Sequence, residues 1–218
     1  MNERNLSYVH GASGVPLLGE TIGDFFDGAA ARWGEREALV VRHQNIRWTY
    51  GELKQRVDGL AAGLLALGLE PGDRIGIWSP NRAEWVLTQF ATAKAGLILV
   101  NINPAYRLTE LEYALNKVGA KALVLSPRFK SSDYVAMVRE LAPELDRAAP
   151  GRLAAKRLPE LRTLILLGGL TSPGMLDFDA VAKRGGSLER ERLRSLARQF
   201  QFDDPINIQF TSGTTGTP

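Results

Sequence analysis

With 218 residues, 44% hydrophobic and 23% charged, the chain can bury a sizeable core and reads as an ordinary soluble globular segment. Cysteine is absent, which excludes a disulfide framework, a thiol nucleophile and a thiolate metal site, and His10 and His43 are too few for imidazole-based metal or triad chemistry. The net charge of +3 is local, because Lys183, Arg184, Arg190, Arg192, Arg194 and Arg198 outnumber Glu189 and Glu191 in one stretch. That run is read as a solvated helix face, paired Glu189 with Arg192 and Glu191 with Arg194 at a spacing of three. No aromatic residues interleave with it to stack on bases, so no nucleic-acid partner is expected. The amino terminus lacks an apolar signal core, and no run approaches the ~18 apolar residues of a membrane helix. No membrane span is expected, and the chain is read as cytoplasmic.

In chain order, Thr21 with Asp24 marks a helix start, Phe25, Phe26, Ala29, Ala30 and Trp33 give it an apolar stripe, and Gly34 ends it. Ala38 to Val41 and Ile46 to Tyr50 read as two short strands around a Gln44-Asn45 turn, which puts His43 at the surface. Thr49 and Glu52 form a capping pair for a helix with Leu53, Val57, Leu60, Leu64 and Leu67 on one face, closed by Gly68. Then Arg74 to Ser79 is a strand, Asn81 with Glu84 caps a helix, and Leu97 to Ile102 is a strand. Thr109 with Glu112 caps another helix, and Ala122 to Leu125 is the next strand. This alternation predicts an α/β class, a parallel sheet with helices on both faces. A helix from about Ser132 to Leu141 follows. Residues 142–161, rich in proline and basic side chains, read as an exposed connector within one domain of residues 1–218. Leu164 to Leu167 resumes strand character, and helical stretches near Phe178 to Arg184 and Leu188 to Gln199 lead to the last strand.

That strand organises the functional reading. Ile206, Ile208 and Phe210 alternate with Asn207, Gln209 and Thr211, and the chain continues as Ser212-Gly213-Thr214-Thr215-Gly216-Thr217-Pro218. Gly213 and Gly216 allow successive amides to turn inward as a nest, and five hydroxyls add donors without bulk, a combination suited to phosphate. The spacing matches neither a Walker A loop nor a dinucleotide fingerprint, and the GxxG lacks the basic flanks of an RNA clamp. On spacing alone such a run is more often a plain turn than a ligand loop.

The octapeptide from Thr211 to Pro218 resembles the phosphate-binding loop of the acyl-adenylate-forming ligases, the AMP-dependent synthetases that include acyl-CoA synthetases. Trp48-Thr49-Tyr50-Gly51-Glu52-Leu53 and the stretch from Lys94-Ala95-Gly96 through Asn103-Pro104 are similar to two earlier motifs of that family. Both are also explained as strand, cap and turn structure without ligand contact. Asn103-Pro104-Ala105-Tyr106-Arg107, Glu112-Tyr113-Ala114-Leu115 and Ser7-Tyr8-Val9-His10-Gly11 resemble the medium- and long-chain fatty acid branch, so the resemblance covers nearly the whole chain. It implies a two-step reaction, in which a carboxylate and ATP give an acyl-adenylate, and coenzyme A then gives the thioester. ATP, Mg2+ and coenzyme A are the implied cofactors and a fatty acid the implied substrate, with Thr211, Ser212, Gly213, Thr214, Thr215, Gly216 and Thr217 as the implied nucleotide-binding residues and no catalytic or metal-binding residue assigned.

The resemblance further implies an incomplete amino-terminal part of the large adenylate-forming domain. The acyl pocket, the adenine contacts and the small C-terminal domain would be absent, the isolated chain inactive, and uncovered strand edges free to self-associate. The alternatives are a non-catalytic nucleotide- or phosphate-binding module and an interaction protein.

Overall fold

The computed structural model describes Gly11 and residues 14–211. Helix α1 (Ile22–Trp33) starts where Thr21 accepts a hydrogen bond from the Asp24 amide at 3.0 Å, as the spacing predicts. Strands β1 (Glu37–Val41) and β2 (Ile46–Thr49) form an antiparallel hairpin. Its turn is a short 3-10 segment, Arg42–Gln44, followed by Asn45 in the left-handed region at φ 53°. Helix α2 (Tyr50–Ala66) begins on the predicted capping box, with Thr49 and Glu52 each satisfying the other's amide. Tyr50 is therefore the first residue of the helix and not the last of the strand.

Strand β3 (Arg74–Trp78), helix α3 (Ala83–Ala95), strand β4 (Ile98–Ile102), helix α4 (Leu108–Val118) and strand β5 (Ala122–Leu125) repeat the expected alternation. A two-residue hairpin, β6 (Arg128–Phe129) with β7 (Ser132–Asp133), leads into helix α5 (Tyr134–Leu141). Then come β8 (Thr163–Leu166), β9 (Leu176–Asp177), helices α6 (Phe178–Ala182) and α7 (Ser187–Ala197), and β10 (Asn207–Gln209). Six strands make one parallel sheet in the order β10-β4-β3-β5-β8-β9. Alternation along β3 shows why both faces are covered. Ile75 and Ile77 join a core with Leu60 and Leu64 of α2, and Trp78 joins a second core with Leu111 of α4 and Tyr134 of α5. Gly63 is where α2 meets α6 backbone to backbone, since a Cβ there would run into the Val181 carbonyl.

Two predicted caps are replaced. Asn81 does not cap α3; the Ala83 amide donates instead to the Gln44 side chain, 2.8 Å away, and Gln44 and Arg82 both bind Glu84. Thr109 does not cap α4; Glu110 accepts from the Arg107 amide, while Glu112 faces away into an ion pair with Arg157. In each case a neighbour supplies the partner, so the local pattern alone points to the wrong residue. Residues 142–161 expose most of their charged side chains, Glu144 being half-buried, but peg themselves to the second core through buried Ala142, Leu145, Leu153, Ala155, Leu158 and Leu161. The expected Glu189–Arg192 pair within the basic run is also replaced. Glu189 accepts from the Gly186 amide at the start of α7, and Arg192 pairs with Glu70.

Candidate active site

In a parallel sheet with helices on both faces, ligands gather outside the carboxyl ends of the strands, where successive connections leave toward opposite faces. Here β3 is followed by α3 on the first core and β4 by α4 on the second, so the adjacent carboxyl ends of β3 and β4 are such a switch point. Strand β10 lies on the other side of β4, with Asn207, Ile208 and Gln209 in register with Leu99, Val100 and Asn101. Thr211 therefore leaves the sheet, exposed, beside the carboxyl end of β4. The other predicted nucleotide-binding residues, Ser212, Gly213, Thr214, Thr215, Gly216 and Thr217, lie outside the described residues.

The floor of this edge is tightly built. Trp78 at the end of β3 stacks on Tyr134, with ring centroids 3.5 Å apart and 9° between planes, and its Nε1 donates to the Asn103 carbonyl at 3.2 Å. The Tyr134 hydroxyl donates to the Pro104 carbonyl at 2.5 Å, and burial pushes the phenol up to about 12. Ser79 and Ser126 join the ends of β3 and β5 through a buried hydroxyl pair at 2.7 Å. The Asn103-Pro104-Ala105 turn closes on itself, the Asn103 side chain accepting from the Ala105 amide, and Arg107 donates to Ser132. These contacts give the fatty-acid-branch motif a structural role: it turns the chain under the edge.

Above that floor, polar groups stand open. The Asn101 side-chain oxygen is buried without a hydrogen-bond partner among the described residues. Gln209 lies opposite it on the same face of the sheet and is exposed. By alternation Thr211 faces the same way. A buried acceptor left unpaired costs ~1–3 kcal/mol, so this edge is not optimised for stability. The Thr211 hydroxyl and the Gln209 amide can donate to an anion, whereas the Asn101 oxygen accepts and calls for a donor. Among the described residues no cluster of three or more histidine, aspartate or glutamate side chains offers a cation site.

The other two motifs serve the opposite end or the hairpin. Lys94, at the last turn of α3, is buried with its Nζ 2.6 and 2.8 Å from the Asp27 carboxylate and 2.5 Å from Asp58, and Lys54 bridges the same two acids. Gly96 follows in the left-handed region at φ 70°, where a Cβ would meet the Phe200 ring. Around Lys94, a cleft of about 240 Å³ also takes in Arg190 and Arg194 of α7. Sequence reasoning placed Lys94 in a motif but missed this ion cluster. The only available signal was a lysine in an otherwise apolar helix end, and its partners lie on two other helices. In the first motif, Arg56 of α2 lies over the Trp48 ring, 4.4 Å from its centroid.

Fold and edge together define an α/β protein with helices on both faces of a parallel sheet, from whose carboxyl edge Thr211 leaves strand β10. The chain belongs to the AMP-binding enzyme family, whose profile matches residues 26–218. It is 49% identical over 216 residues to the mitochondrial medium-chain acyl-CoA ligase of Homo sapiens, covering 98% of this chain and 35% of that protein. To the corresponding ligase of Bos taurus it is 49% identical over 213 residues, 97% of this chain and 34% of that protein. It thus matches acyl-CoA ligases along nearly all of its own length and spans about a third of theirs. Among solved structures, the anthranilate CoA ligase AuaEII in complex with anthranoyl-AMP superimposes with a TM-score of 0.74 at 23% identity, over 96% of this chain and 35% of that one. A long-chain-fatty-acid-CoA ligase from Archaeoglobus fulgidus gives 0.69 at 23% identity, over 96% of this chain and 38% of that one. These likenesses support the shared fold. The cytoplasmic reading is overturned, because the ligases of human and cow are mitochondrial. Composition and the lack of a long apolar helix describe the folded body, whereas an address is written in short processed segments that neither property reports.

Proposed function

We propose that this chain is the part of an ATP-dependent fatty acid:CoA ligase that grips the triphosphate, with Thr211, Ser212, Gly213, Thr214, Thr215, Gly216 and Thr217 as its nucleotide-binding residues. The carrying observation is the place at which Thr211 leaves the sheet: beside the carboxyl end of β4, next to the topological switch point between β4 and β3. The substrates of this reading are a medium-chain fatty acid, ATP with Mg2+, and coenzyme A. Attack of the carboxylate on the α-phosphate expels pyrophosphate, on which negative charge grows, and amide and hydroxyl donors set in place beforehand favour that change. Coenzyme A then displaces AMP to give the thioester. Residues 211–218 hold no carboxylate side chain, so Mg2+ would be held by the phosphates of ATP and not by this run. The acyl group and the nucleoside are held by parts of the ligase beyond this third.

The test is a hybrid in which residues 1–218 replace the matching third of the human medium-chain ligase, assayed by ATP–pyrophosphate exchange with a medium-chain fatty acid. Gly216→Val is expected to lower exchange at least ~100-fold, the scale on which transition-state donors act. A native rate in that variant would remove the phosphate reading of the run. The 218-residue chain by itself is expected to show no exchange, and robust exchange would overturn its standing as one part of the machinery.

A further inference from the structure

Strand β10 is short, three residues long, and bonded to a strand on one side only among the described residues. Its hydrophobic pattern does not fix where it stops. In Ile206-Asn207-Ile208-Gln209-Phe210, a slip of two residues one way puts Ile208 where Ile206 was, Phe210 where Ile208 was and Gln209 where Asn207 was, with every side chain still on its original face, while a slip the other way brings Pro205 to the place of Asn207. Ile206, Ile208 and Phe210 are all half-buried, and the last two pack at the margin of the second core. Such a slip would carry Thr211 ~6.6 Å along the strand, two residues at ~3.3 Å each. That is larger than any phosphate site tolerates.

Contacts on both faces mark the observed register: Phe210 meets the Tyr113 ring edge-on, with centroids 6.5 Å apart, and on the opposite face an amide pair forms. Asn207 of β10 and Gln89 of α3, 118 positions apart, bond through both halves of their amides. Gln89 Nε2 donates to Asn207 Oδ1 at 3.3 Å, and Asn207 Nδ2 donates to Gln89 Oε1 at 3.4 Å. Asn207 Nδ2 also donates to the Leu99 carbonyl of β4 at 3.3 Å, which ties the pair to one position on the neighbouring strand. After a slip in one direction Gln209, one methylene longer, faces Gln89 in place of Asn207, and in the other direction Asn207 lies beyond its reach.

We propose that Gln89 and Asn207 are positioning residues, whose reciprocal amide pair sets the register of β10 and so the point at which Thr211 and the run after it leave the sheet. The inference rests on the phosphate reading of that run. Neither residue touches substrate; both act through the strand.

Two measurements test it. In the hybrid ligase, Gln89→Leu and Asn207→Leu should each lower kcat for ATP–pyrophosphate exchange and raise KM for MgATP, about tenfold in kcat/KM, without changing KM for the fatty acid. The double variant should be no worse than either single one, and the exchanged pair Gln89→Asn with Asn207→Gln should recover most of the loss. In the 218-residue chain, cross-strand nuclear Overhauser contacts between β10 and Leu99 to Asn101 should shift by two residues or broaden in both leucine variants. Native contacts in both variants, or exchange equal to the parent, overturns the inference. Failure of the phosphate reading shows differently, as a native rate for Gly216→Val.

Discussion

At the amino end of the parallel sheet, Lys94 is buried with carboxylates on two sides, and Phe200 fills the space beside Gly96. At the carboxyl end, Asn101 keeps a buried oxygen without a partner among the described residues, and Gln209 and Thr211 face outward. The same two-sided sheet therefore seals its charges at one end and leaves polar groups unspent at the other. A group that is already saturated can only stabilise, whereas one held open at a cost can bind. On this contrast the amino end is saturated, and the carboxyl end is where the proposed function puts the chemistry.

The largest way to break the comparison is Lys94→Ala. Removing the lysine takes away its bonds to Asp27 and Asp58 but leaves both partly exposed acids with Lys54, so the cost is that of lost charge-assisted bonds, ~2–3 kcal/mol, which for a chain of this size lowers the unfolding midpoint by ~5–10 °C. A calorimetric midpoint within a degree or two of the parent would show that the amino end is not sealed by charge. Tyr134→Phe comes next, at ~1–2 kcal/mol for the lost bond to the Pro104 carbonyl. Its pH dependence has a definite sign. The folded phenol titrates at about 12, above the ordinary value of 10.0, so its contribution is complete below the unfolded pKa and is lost as pH rises from about 10 through about 12. Urea midpoints of the parent should fall across that window while those of Tyr134→Phe stay flatter; parallel curves would assign the alkaline loss to other groups.

Asn101→Leu sharpens the contrast because its sign is opposite. Replacing an unpartnered acceptor by an apolar side chain of similar size should stabilise the chain by ~1 kcal/mol, and a destabilised variant would mean that Asn101 already has its partner. The smallest effect belongs to Arg157→Ala. Its bond to Glu112 holds that carboxyl below the usual range, but both groups are solvent-accessible and lie at neither end of the sheet. No resolvable change in midpoint is expected at physiological salt, and a loss of several degrees would place the 142–161 segment among the elements that hold the fold.

Much of the architecture is legible from local pattern. Thr21 and Thr49 each stand three residues before an acid at a helix start, and both cap as the spacing predicts, because the bonded groups lie within one turn of chain. The strand at Ala122 to Leu125 and the helices following β3 and β4 are legible for the same reason: their apolar periods are short. The same reasoning fails at Asn81 and Thr109, where Gln44 and Glu110 take the cap. At the candidate site the order is reversed. The motif from Thr211 onward is legible as a run of residue types, while nothing in its own pattern says which end of which strand it leaves.

The amino-acid sequence by itself determined the α/β alternation, the two authentic caps and the family resemblance of the terminal run. Tertiary structure alone decided that Gln44 caps a helix 39 positions away, that Lys94 meets Asp27 and Asp58 across 67 and 36 positions, and that Asn207 locks to Gln89 across 118. The reason is one of range. Helix and strand periods repeat within a few residues and so mark the chain locally, but a hydrogen bond or ion pair between distant elements leaves no period behind and exists only once packing has brought its two halves together.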